Sequence, residues 1–216
     1  FLSIIVQNEN MIVNPDPKII ESAWIKDYDA LYKDSINDPE TFWSNIAEDL
    51  YWFRPWKKVL DWKYPYSRWF TGGQTNIAYN ALDRWMKTDV AEKKALVWIG
   101  QDMSERIFTY KQLNEEVNRF ANGLKSLGVR KGDKVTIYLP RIPEQFISML
   151  ACLKIGAIHS VVYSGFSAEA LKNRIEDAQA KVVICTDGYP YGKKYIESKK
   201  TVDGIISSIP VVEKVI

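Results

Sequence analysis

The chain has 216 residues, of which 46% are hydrophobic and 26% are charged, and its formal net charge is +2. This is the composition of a folded globular protein, which argues against intrinsic disorder of the whole chain. The near balance of 29 basic and 27 acidic residues argues against a surface built for nucleic acid or for an anionic membrane. No apolar run approaches the roughly 20 residues needed to cross a bilayer.

The first residues predict an N-terminal extension, which we place at residues 1–20. Phe1–Val6 is apolar, but it is too short for the core of a signal peptide and has no basic segment before it. The two cysteines, Cys152 and Cys185, lie among apolar neighbours and lack the spacing of a disulfide framework. We therefore expect free cysteines and a cytoplasmic protein.

Aromatic residues are concentrated between Phe42 and Trp85, where 6 of the 8 tryptophans and 13 of the 28 aromatic residues lie. The stretch lacks a long periodicity and contains proline and glycine breaks. It predicts an irregular layer of large rings that packs onto the following domain, because each ring can bury about 150–250 Å². Stacking on bases is the alternative, but the basic stripe that such proteins use is missing.

From Ile107 onward the pattern changes to an alternation of helices and short apolar strands. Thr109 with Gln112 predicts a capping box, and Pro143 suits the first turn of a later helix. Glycines predict where helices end. Helices are expected after Thr109, Pro143 and Ser167 and around Val202–Ser207, and strands at Val135–Leu139, Ala157–Tyr163, Val182–Cys185 and Val211–Ile216.

This alternation predicts an α/β fold with a doubly wound, mostly parallel sheet, preceded by the irregular aromatic-rich N-terminal region. In such sheets ligands bind outside the carboxyl ends of the strands. Those ends are Leu139–Arg141, Tyr163–Ser167 and Cys185–Lys194, and we expect the functional site there.

Familiar catalytic motifs are absent from the sequence. It contains neither a dinucleotide-binding G-x-G-x-x-G nor a phosphate-binding G-x-x-x-x-G-K-[ST], and it lacks the G-x-S-x-G of hydrolases. One histidine and two cysteines are too few for a zinc site. His159 is expected to be a core histidine with a local hydrogen bond. The sequence thus predicts no metal ligand and no catalytic residue.

Two loops at the predicted sheet edge stand out. Tyr163-Ser164-Gly165 precedes a helix, and Gly165 would allow close approach of the backbone to a ligand. The second loop is Asp187–Lys194, which ends in Tyr191-Gly192-Lys193-Lys194 and is followed by Lys199 and Lys200. Four lysines so close together predict either a phosphate contact or a solvated surface, and both interpretations stay open.

Several long segments resemble the N-terminal portion of the acetate–CoA ligase family, the AMP-forming acetyl-CoA synthetases, and their propionyl- and hydroxyacyl-CoA synthetase relatives. The aromatic segment resembles this branch in particular, whereas the later segments are shared more loosely among adenylate-forming enzymes. The similar segments are Asp38–Trp56, Arg68–Trp85, Phe108–Glu144, Met149–Asp187 and Lys199–Asp203.

The resemblance implies an activity and a set of ligands. Members of the family join a carboxylate to ATP, with Mg²⁺, to give an acyl-adenylate and pyrophosphate, and the thiol of CoA then displaces AMP. The family's Ser/Thr/Gly-rich phosphate loop ending in P-K-G does not occur in these 216 residues. The resemblance therefore implies an N-terminal part of a short-chain acyl-CoA synthetase.

The resemblance also implies which residues contact CoA. Tyr163, Ser164 and Gly165 match the turn that lines the pantetheine passage. The segment from Tyr191 to Lys194 matches the loop that holds the 3′-phosphate, usually Arg-x-Gly-Arg or Arg-Arg-Gly-Lys. Tyr191 stands where the first arginine is usual, and this difference removes a bidentate phosphate donor.

The domains implied are the extension at 1–20, an acetyl-CoA synthetase-type N-terminal region at 21–90, and the first part of an AMP-binding domain at 91–216. Expected partners are the small-molecule substrates, without nucleic acid or membrane, together with either a homo-oligomeric copy or a missing C-terminal half. Two alternatives stay open: a catalytically incapable fragment or split subunit that acts as a binding module, and a nucleic-acid-binding α/β protein. The near-zero net charge argues against the last.

Overall fold

A computed structural model describes residues 15–216, so most of the extension predicted at residues 1–20 lies outside the described residues. The chain divides into two compact units. The first contains the described residues up to Leu50 together with Lys57–Thr71, and the second contains Tyr51–Trp56 and Gly72–Ile216.

The first unit consists of three helices and an antiparallel hairpin. Each helix begins after an aspartate, Asp16, Asp27 or Asp38, whose carboxylate accepts a backbone N–H of the first turn. In this unit the indole rings of Trp43 and Trp69 meet edge to face, with centroids 6.2 Å apart. The elements are α1 (Pro17–Ser22), α2 (Tyr28–Asn37), α3 (Pro39–Glu48), β1 (Lys58–Lys63) and β2 (Tyr66–Thr71).

The second unit is built around a four-stranded, fully parallel sheet with the strand order β10-β7-β5-β6. The sheet strands are β5 (Lys134–Tyr138), β6 (Ile158–Val161), β7 (Val182–Cys185) and β10 (Lys214–Val215). Two antiparallel hairpins accompany it, β3 (Lys94–Ile99) with β4 (Glu105–Thr109) and β8 (Tyr189–Tyr191) with β9 (Lys194–Ile196). The helices are α4 (Ile77–Ala81), α5 (Tyr110–Ser126), α6 (Pro143–Lys154), α7 (Ala168–Ala178) and α8 (Ser198–Ile206).

Alternate residues of the central strands point into two separate cores. Val182 and Ile184 of β7 face the core that α5 and α6 cover, whereas Val183 faces the core that α7 and α8 cover. On β5, Ile137 and Tyr138 divide in the same way. Helices therefore lie on both faces of a parallel sheet, and the predicted doubly wound α/β fold is confirmed.

The sequence signals for helix starts and stops are confirmed. Thr109 and Gln112 form the capping box of α5, and Pro143 occupies the first turn of α6. At the end of α5, Gly128 has φ 92°, and the next N–H bonds back to the carbonyl of Leu124. Such a left-handed closing residue favours glycine because a Cβ atom would be strained there.

Element bounds differ most near the C-terminus. The last helix begins at Ser198, four residues before the predicted start, and the last strand contains only Lys214 and Val215. The sequence 198–201 is polar and hides the helix start, although the buried Val202 shows its inward face.

Part of the aromatic-rich stretch belongs to the second unit and packs against its helices. Tyr51, Phe53 and Tyr79 form a ring cluster with centroids 4.8–5.1 Å apart. The Asn76 amide donates to the carbonyl of Leu153 at the end of α6, at 2.9 Å. Around the loops, the stretch contains regular pieces, namely most of α3, the β1–β2 hairpin and α4.

Both cysteines are free, as predicted. Cys152 is fully buried in the core under α6, and burial raises the pKa of its thiol to about 12. A thiol that stays protonated at neutral pH is a poor nucleophile, so Cys152 acts as a small apolar residue.

His159 lies on β6 and is only partly buried, and the expected local hydrogen bond is wrong. Its Nδ1 atom is buried and has no hydrogen-bond partner among residues 15–216. β6 is an outer strand of the sheet: it pairs with β5 on one edge, and no strand among these residues pairs with its other edge. Burial lowers the pKa of the imidazole below its usual value.

This lowered pKa predicts a pH dependence of stability. The unfolded chain binds a proton at His159 more readily than the folded chain, so the free energy of unfolding is highest above the unfolded pKa of about 6.5. It should decrease as the pH falls through the folded pKa. Urea unfolding at pH 7.5 and 5.5 should show a smaller decrease for His159→Gln than for the wild type.

Because His159 is the only histidine of the chain, its imidazole proton signals can be titrated by NMR without assignment. A folded-state pKa at or above 6.5, or equal pH dependence in the two proteins, would contradict the prediction.

Candidate functional site

The second unit contains a cleft of about 800 Å³ at the carboxyl edge of the parallel sheet. The loops after three neighbouring strands line it: Pro140–Ile142 after β5, Tyr163 and Ser164 after β6, and Gly188–Tyr191 after β7. The chain leaves β5 towards α6 on one face and leaves β6 towards α7 on the other face. Loops that diverge in this way open a crevice between adjacent strand ends, which is where doubly wound proteins bind ligands.

The β3–β4 hairpin forms another wall of the cleft. Its Trp98 indole N–H donates to the carbonyl of Arg141 at 2.7 Å, and its Arg106 guanidinium bonds the Glu144 carboxylate at 2.7 Å. Its turn, Gly100–Ser104, contributes Gly100, Gln101, Asp102 and Ser104 to the lining. This wall could not be predicted from the sequence, because neither the strand pattern nor the turn residues show which part of the sheet a hairpin covers.

Tyr138, at the end of β5, fixes the loop that follows β6. The residue is 1% exposed, and its hydroxyl lies 2.8 Å from the carbonyl oxygen of Ser164 and 3.2 Å from that of Phe166. Burial, followed by the nearby Tyr189, raises the pKa of this phenol. The hydroxyl thus stays a proton donor and holds the 163–166 turn in place.

Ser164 connects two of the cleft loops. The residue is only 5% exposed, and its Oγ lies 2.9 Å from the hydroxyl of Tyr189. This hydrogen bond joins the loop after β6 to the loop after β7. Because both residues are partly shielded from water, breaking the bond would leave a poorly solvated hydroxyl on each side.

Gly165 makes room for a neighbouring side chain, while the expected close approach to a ligand stays a prediction. A Cβ atom at this position would lie 2.6 Å from Cε1 of the Tyr163 ring. The glycine therefore admits the ring of Tyr163, which also meets Phe166 edge to face at 5.7 Å. Gly165 itself does not line the cleft, whereas Tyr163 does.

The four residues of the predicted phosphate loop form a tight β-hairpin. Tyr191 pairs with Lys194, and Gly192 and Lys193 make the two-residue turn, with φ 58° at Gly192. Glycine at the first position of such a turn supplies the positive φ that a type II′ hairpin needs. Tyr191 lines the cleft and is 63% exposed, while Lys193 and Lys194 project from the exposed end of the hairpin beside it.

The four lysines of this region separate into two pairs. Lys199 bonds the carboxylate of Asp203, and Lys200 bonds that of Glu197 at 3.1 Å. Lys193 and Lys194 have no acidic partner within the described part of the chain. Of these four lysines, Lys193 and Lys194 are therefore the two available to an external anion.

The cleft lining contains one acidic and one basic side chain, Asp102 and Arg141. Hydrogen bonds from the hydroxyl and backbone N–H of Ser104 hold the pKa of Asp102 below its usual value, so this carboxylate is ionised. Between residues 15 and 216, no group of three or more His, Cys, Asp or Glu side chains could hold a metal ion. Over the same span, no helix has the length and apolar character needed to cross a bilayer.

Of the seven candidate residues, the structure places Tyr163, Ser164 and Tyr191 in the cleft wall. Gly165, Gly192, Lys193 and Lys194 lie next to it in the same loops. Gly188 and Tyr189 lie in the strand end Cys185–Lys194 where the site was expected, although neither was given a role of its own. A Cβ atom at Gly188 would lie 2.5 Å from the carbonyl oxygen of Ile196, which explains the glycine but could not be inferred from spacing.

Two family models match the chain in succession. The "Acetyl-coenzyme A synthetase N-terminus" model matches residues 28–81, and the "AMP-binding enzyme" model matches residues 82–215. The domain boundary that we predicted at residue 90 stays a prediction.

Individual relatives agree with these models. The chain is 46% identical over 189 residues to an acetyl-coenzyme A synthetase from Deinococcus radiodurans, covering 86% of this chain and 29% of the relative. It is 43% identical over 212 residues to a 3-hydroxypropionyl-coenzyme A synthetase from Metallosphaera sedula, covering 97% of this chain and 32% of the relative. The chain thus spans about a third of the length of the curated relatives it matches.

The fold comparison gives the same result. The structure of an acetoacetyl-CoA synthetase from Streptomyces lividans superposes with a TM-score of 0.85 at 30% identity, covering 93% of this chain and 34% of that protein. Since the AMP-binding model alone accounts for more than half of the residues, the chain belongs to the AMP-binding enzyme family and corresponds to the N-terminal portion of its acetyl-coenzyme A synthetase members.

Proposed function

We propose that this chain is the N-terminal part of an AMP-forming short-chain acyl-CoA synthetase and that its cleft holds part of CoA. One observation supports the proposal above the others. The turn at Tyr163–Ser164 and the hairpin at Tyr191 are far apart in sequence, and the resemblance assigns both to one ligand. Both line the same cleft at the strand ends where doubly wound proteins bind ligands.

The chemistry of the lining suits a ligand with an apolar arm and a charged end. The rings of Tyr163 and Tyr191, with Trp98 and Pro190, offer apolar surface for a pantetheine chain. The backbone of this wall is held by the Tyr138 and Ser164 hydrogen bonds, so little ordering is needed on binding. Lys193 and Lys194 supply positive charge for the 3′-phosphate at the open end.

The other substrates of the proposed reaction are ATP with Mg²⁺ and a short carboxylic acid. The carboxylate would attack the α-phosphate of ATP and release pyrophosphate, and the CoA thiol would then attack the acyl carbon and release AMP. This chain's own residues would bind and orient CoA for the second step. We place the reaction in the cytoplasm and expect the segment to work with the remaining part of a ligase, whether in the same chain or in a partner, and as a monomer or homo-oligomer.

The first test concerns carboxylate activation by the 216-residue chain. It contains no Ser/Thr/Gly-rich loop ending in P-K-G, and phosphoryl chemistry depends on such positioned charge-stabilising groups. Pyrophosphate–ATP exchange dependent on acetate or propionate should therefore be at background with the purified chain. Exchange clearly above background would show that the adenylation site lies within these residues.

The second test concerns the free lysine of the hairpin in a complete ligase, made by joining this chain to the remaining two thirds of a relative. Reversing the charge with Lys194→Glu replaces attraction by repulsion, so the KM for CoA should rise about tenfold. The KM for dephospho-CoA should change much less. Pyrophosphate–ATP exchange, which uses no CoA, should be unchanged, and Tyr191→Arg should lower the KM for CoA.

The matched control is Lys200→Glu, which makes the same charge change at a lysine already paired with Glu197. It should leave both KM values near the wild type. If Lys194→Glu leaves the CoA to dephospho-CoA ratio unchanged, or affects only the exchange reaction, the hairpin lysines are a solvated surface and do not contact CoA.

A further inference from the structure

We infer that Arg141 binds the 3′-phosphate of CoA and supplies the guanidinium that the lysine hairpin lacks at Tyr191. This inference rests on the proposed function, because it assumes that CoA occupies the cleft. Arg141 follows β5, which lies in the sheet between β6 and β7, the strands that precede the other two contact loops. It lines the same cleft as Tyr163 and Tyr191.

The guanidinium of Arg141 differs from the other arginines of the second unit in having no partner. Arg106 and Arg119 bond carboxylates, Arg54 and Arg130 donate to backbone carbonyls, and Arg84 and Arg174 lie over aromatic rings. No hydrogen bond, ion pair or ring contact of the Arg141 side chain occurs within residues 15–216. It is exposed, and among the described residues that line the cleft it is the only cation.

The backbone beneath Arg141 is fixed. Its carbonyl accepts the Trp98 indole N–H at 2.7 Å, and the N–H of Ile142 bonds the carbonyl of Pro140 at 2.8 Å. Arg141 lies just before α6, and no side chain at the N-cap, Ile142, accepts the N–H groups of the first helical turn. The charge therefore projects from a defined place, and the partial positive charge of the helix N-terminus adds to it.

The charges of the cleft lining favour an anion near Arg141 over one near Asp102. Asp102 is ionised and lies in the β3–β4 wall, where its carboxylate already accepts two hydrogen bonds from Ser104. It has no ion pair with Arg141, so the guanidinium is not neutralised. Lys193 and Lys194 add two unpaired charges on the hairpin, and together the three cations suit a dianionic phosphate monoester.

A guanidinium also makes a bidentate phosphate contact, which two lysines cannot make. Its planar fork binds two phosphate oxygens at once, whereas an ammonium group acts as a point charge. Tyr191 can provide neither a positive charge nor a bidentate donor. Arg141 provides both from another strand end of the same cleft.

The test is titration of the purified 216-residue chain with CoA and with dephospho-CoA by calorimetry. Wild type should bind CoA more tightly than dephospho-CoA. Arg141→Met, which keeps the length of the side chain, should weaken CoA binding about tenfold and narrow the gap between the affinities for CoA and dephospho-CoA, leaving the part that Lys193 and Lys194 contribute. Arg141→Lys should give an intermediate ratio, because it keeps the charge and loses the fork.

Arg68→Met is the matched control, since Arg68 is an exposed arginine of the first unit and does not line the cleft. It should leave both affinities unchanged. The Arg141 side chain is exposed and makes no hydrogen bond, ion pair or ring contact within residues 15–216, so circular dichroism melting should be the same for all variants. If Arg141→Met nevertheless failed to fold, the ratio measured for Arg141→Lys would decide.

The outcomes separate the two proposals. Unchanged CoA binding in Arg141→Met, or an equal loss for both ligands, overturns the assignment of Arg141 to the 3′-phosphate and leaves CoA in the cleft. Absence of any CoA binding by the wild type overturns both the assignment and the proposed CoA site in this chain.

Discussion

The candidate site depends on the hydroxyl of Tyr138. The ring of this residue belongs to the core beneath α7 and α8, while its hydroxyl reaches the carbonyl oxygens of Ser164 and Phe166. The core therefore determines where the loop after β6 lies, because moving that loop would leave a buried phenol unsatisfied. Ser164 transmits the same constraint to Tyr189 and so to the start of the lysine hairpin. A cleft wall made of loops thereby gains the rigidity of the sheet.

Charge in the second unit is distributed between structural pairs and free cations. Lys154 bonds Asp83 and Asn114 at 2.8 Å and ties the segment before the sheet to α6, and Lys181 bonds Asp133 at 3.1 Å near the amino ends of the strands. These lysines are largely shielded and neutralised. Arg141, Lys193 and Lys194 lie instead in or beside the cleft without acidic partners among residues 15–216. A total charge of +2 thus conceals a local excess of positive charge at the carboxyl edge of the sheet.

The sheet could be predicted because its signals are local. Thr109, Pro143 and Gly128 each determine a helix end through backbone chemistry within a few residues, and the apolar run Val182–Cys185 can only be buried on both faces. The surroundings of His159 were harder to predict. The apolar run around it suits either a central strand, in which the imidazole is hydrogen-bonded, or an outer strand, in which it is not. Strand order, which decides between them, depends on contacts between distant segments.

The separate loops of the site could be predicted, but the surface that they form together could not, because it also depends on contacts between distant segments. Tyr163, Ser164 and Tyr191 follow strands, so the rule about carboxyl ends finds them. Trp98 and Asp102 follow no strand of the parallel sheet, and their place in the cleft depends on the two bonds by which the β3–β4 hairpin attaches to Arg141 and Glu144. The glycines show the limit most clearly. Gly165 was predicted to let a ligand approach, which stays a prediction; within the chain its missing side chain makes room for the ring of Tyr163, and Gly188 makes room for the carbonyl of Ile196. A missing side chain shows that something comes close, and only the folded chain shows whether that neighbour is the ligand or the wall that receives it.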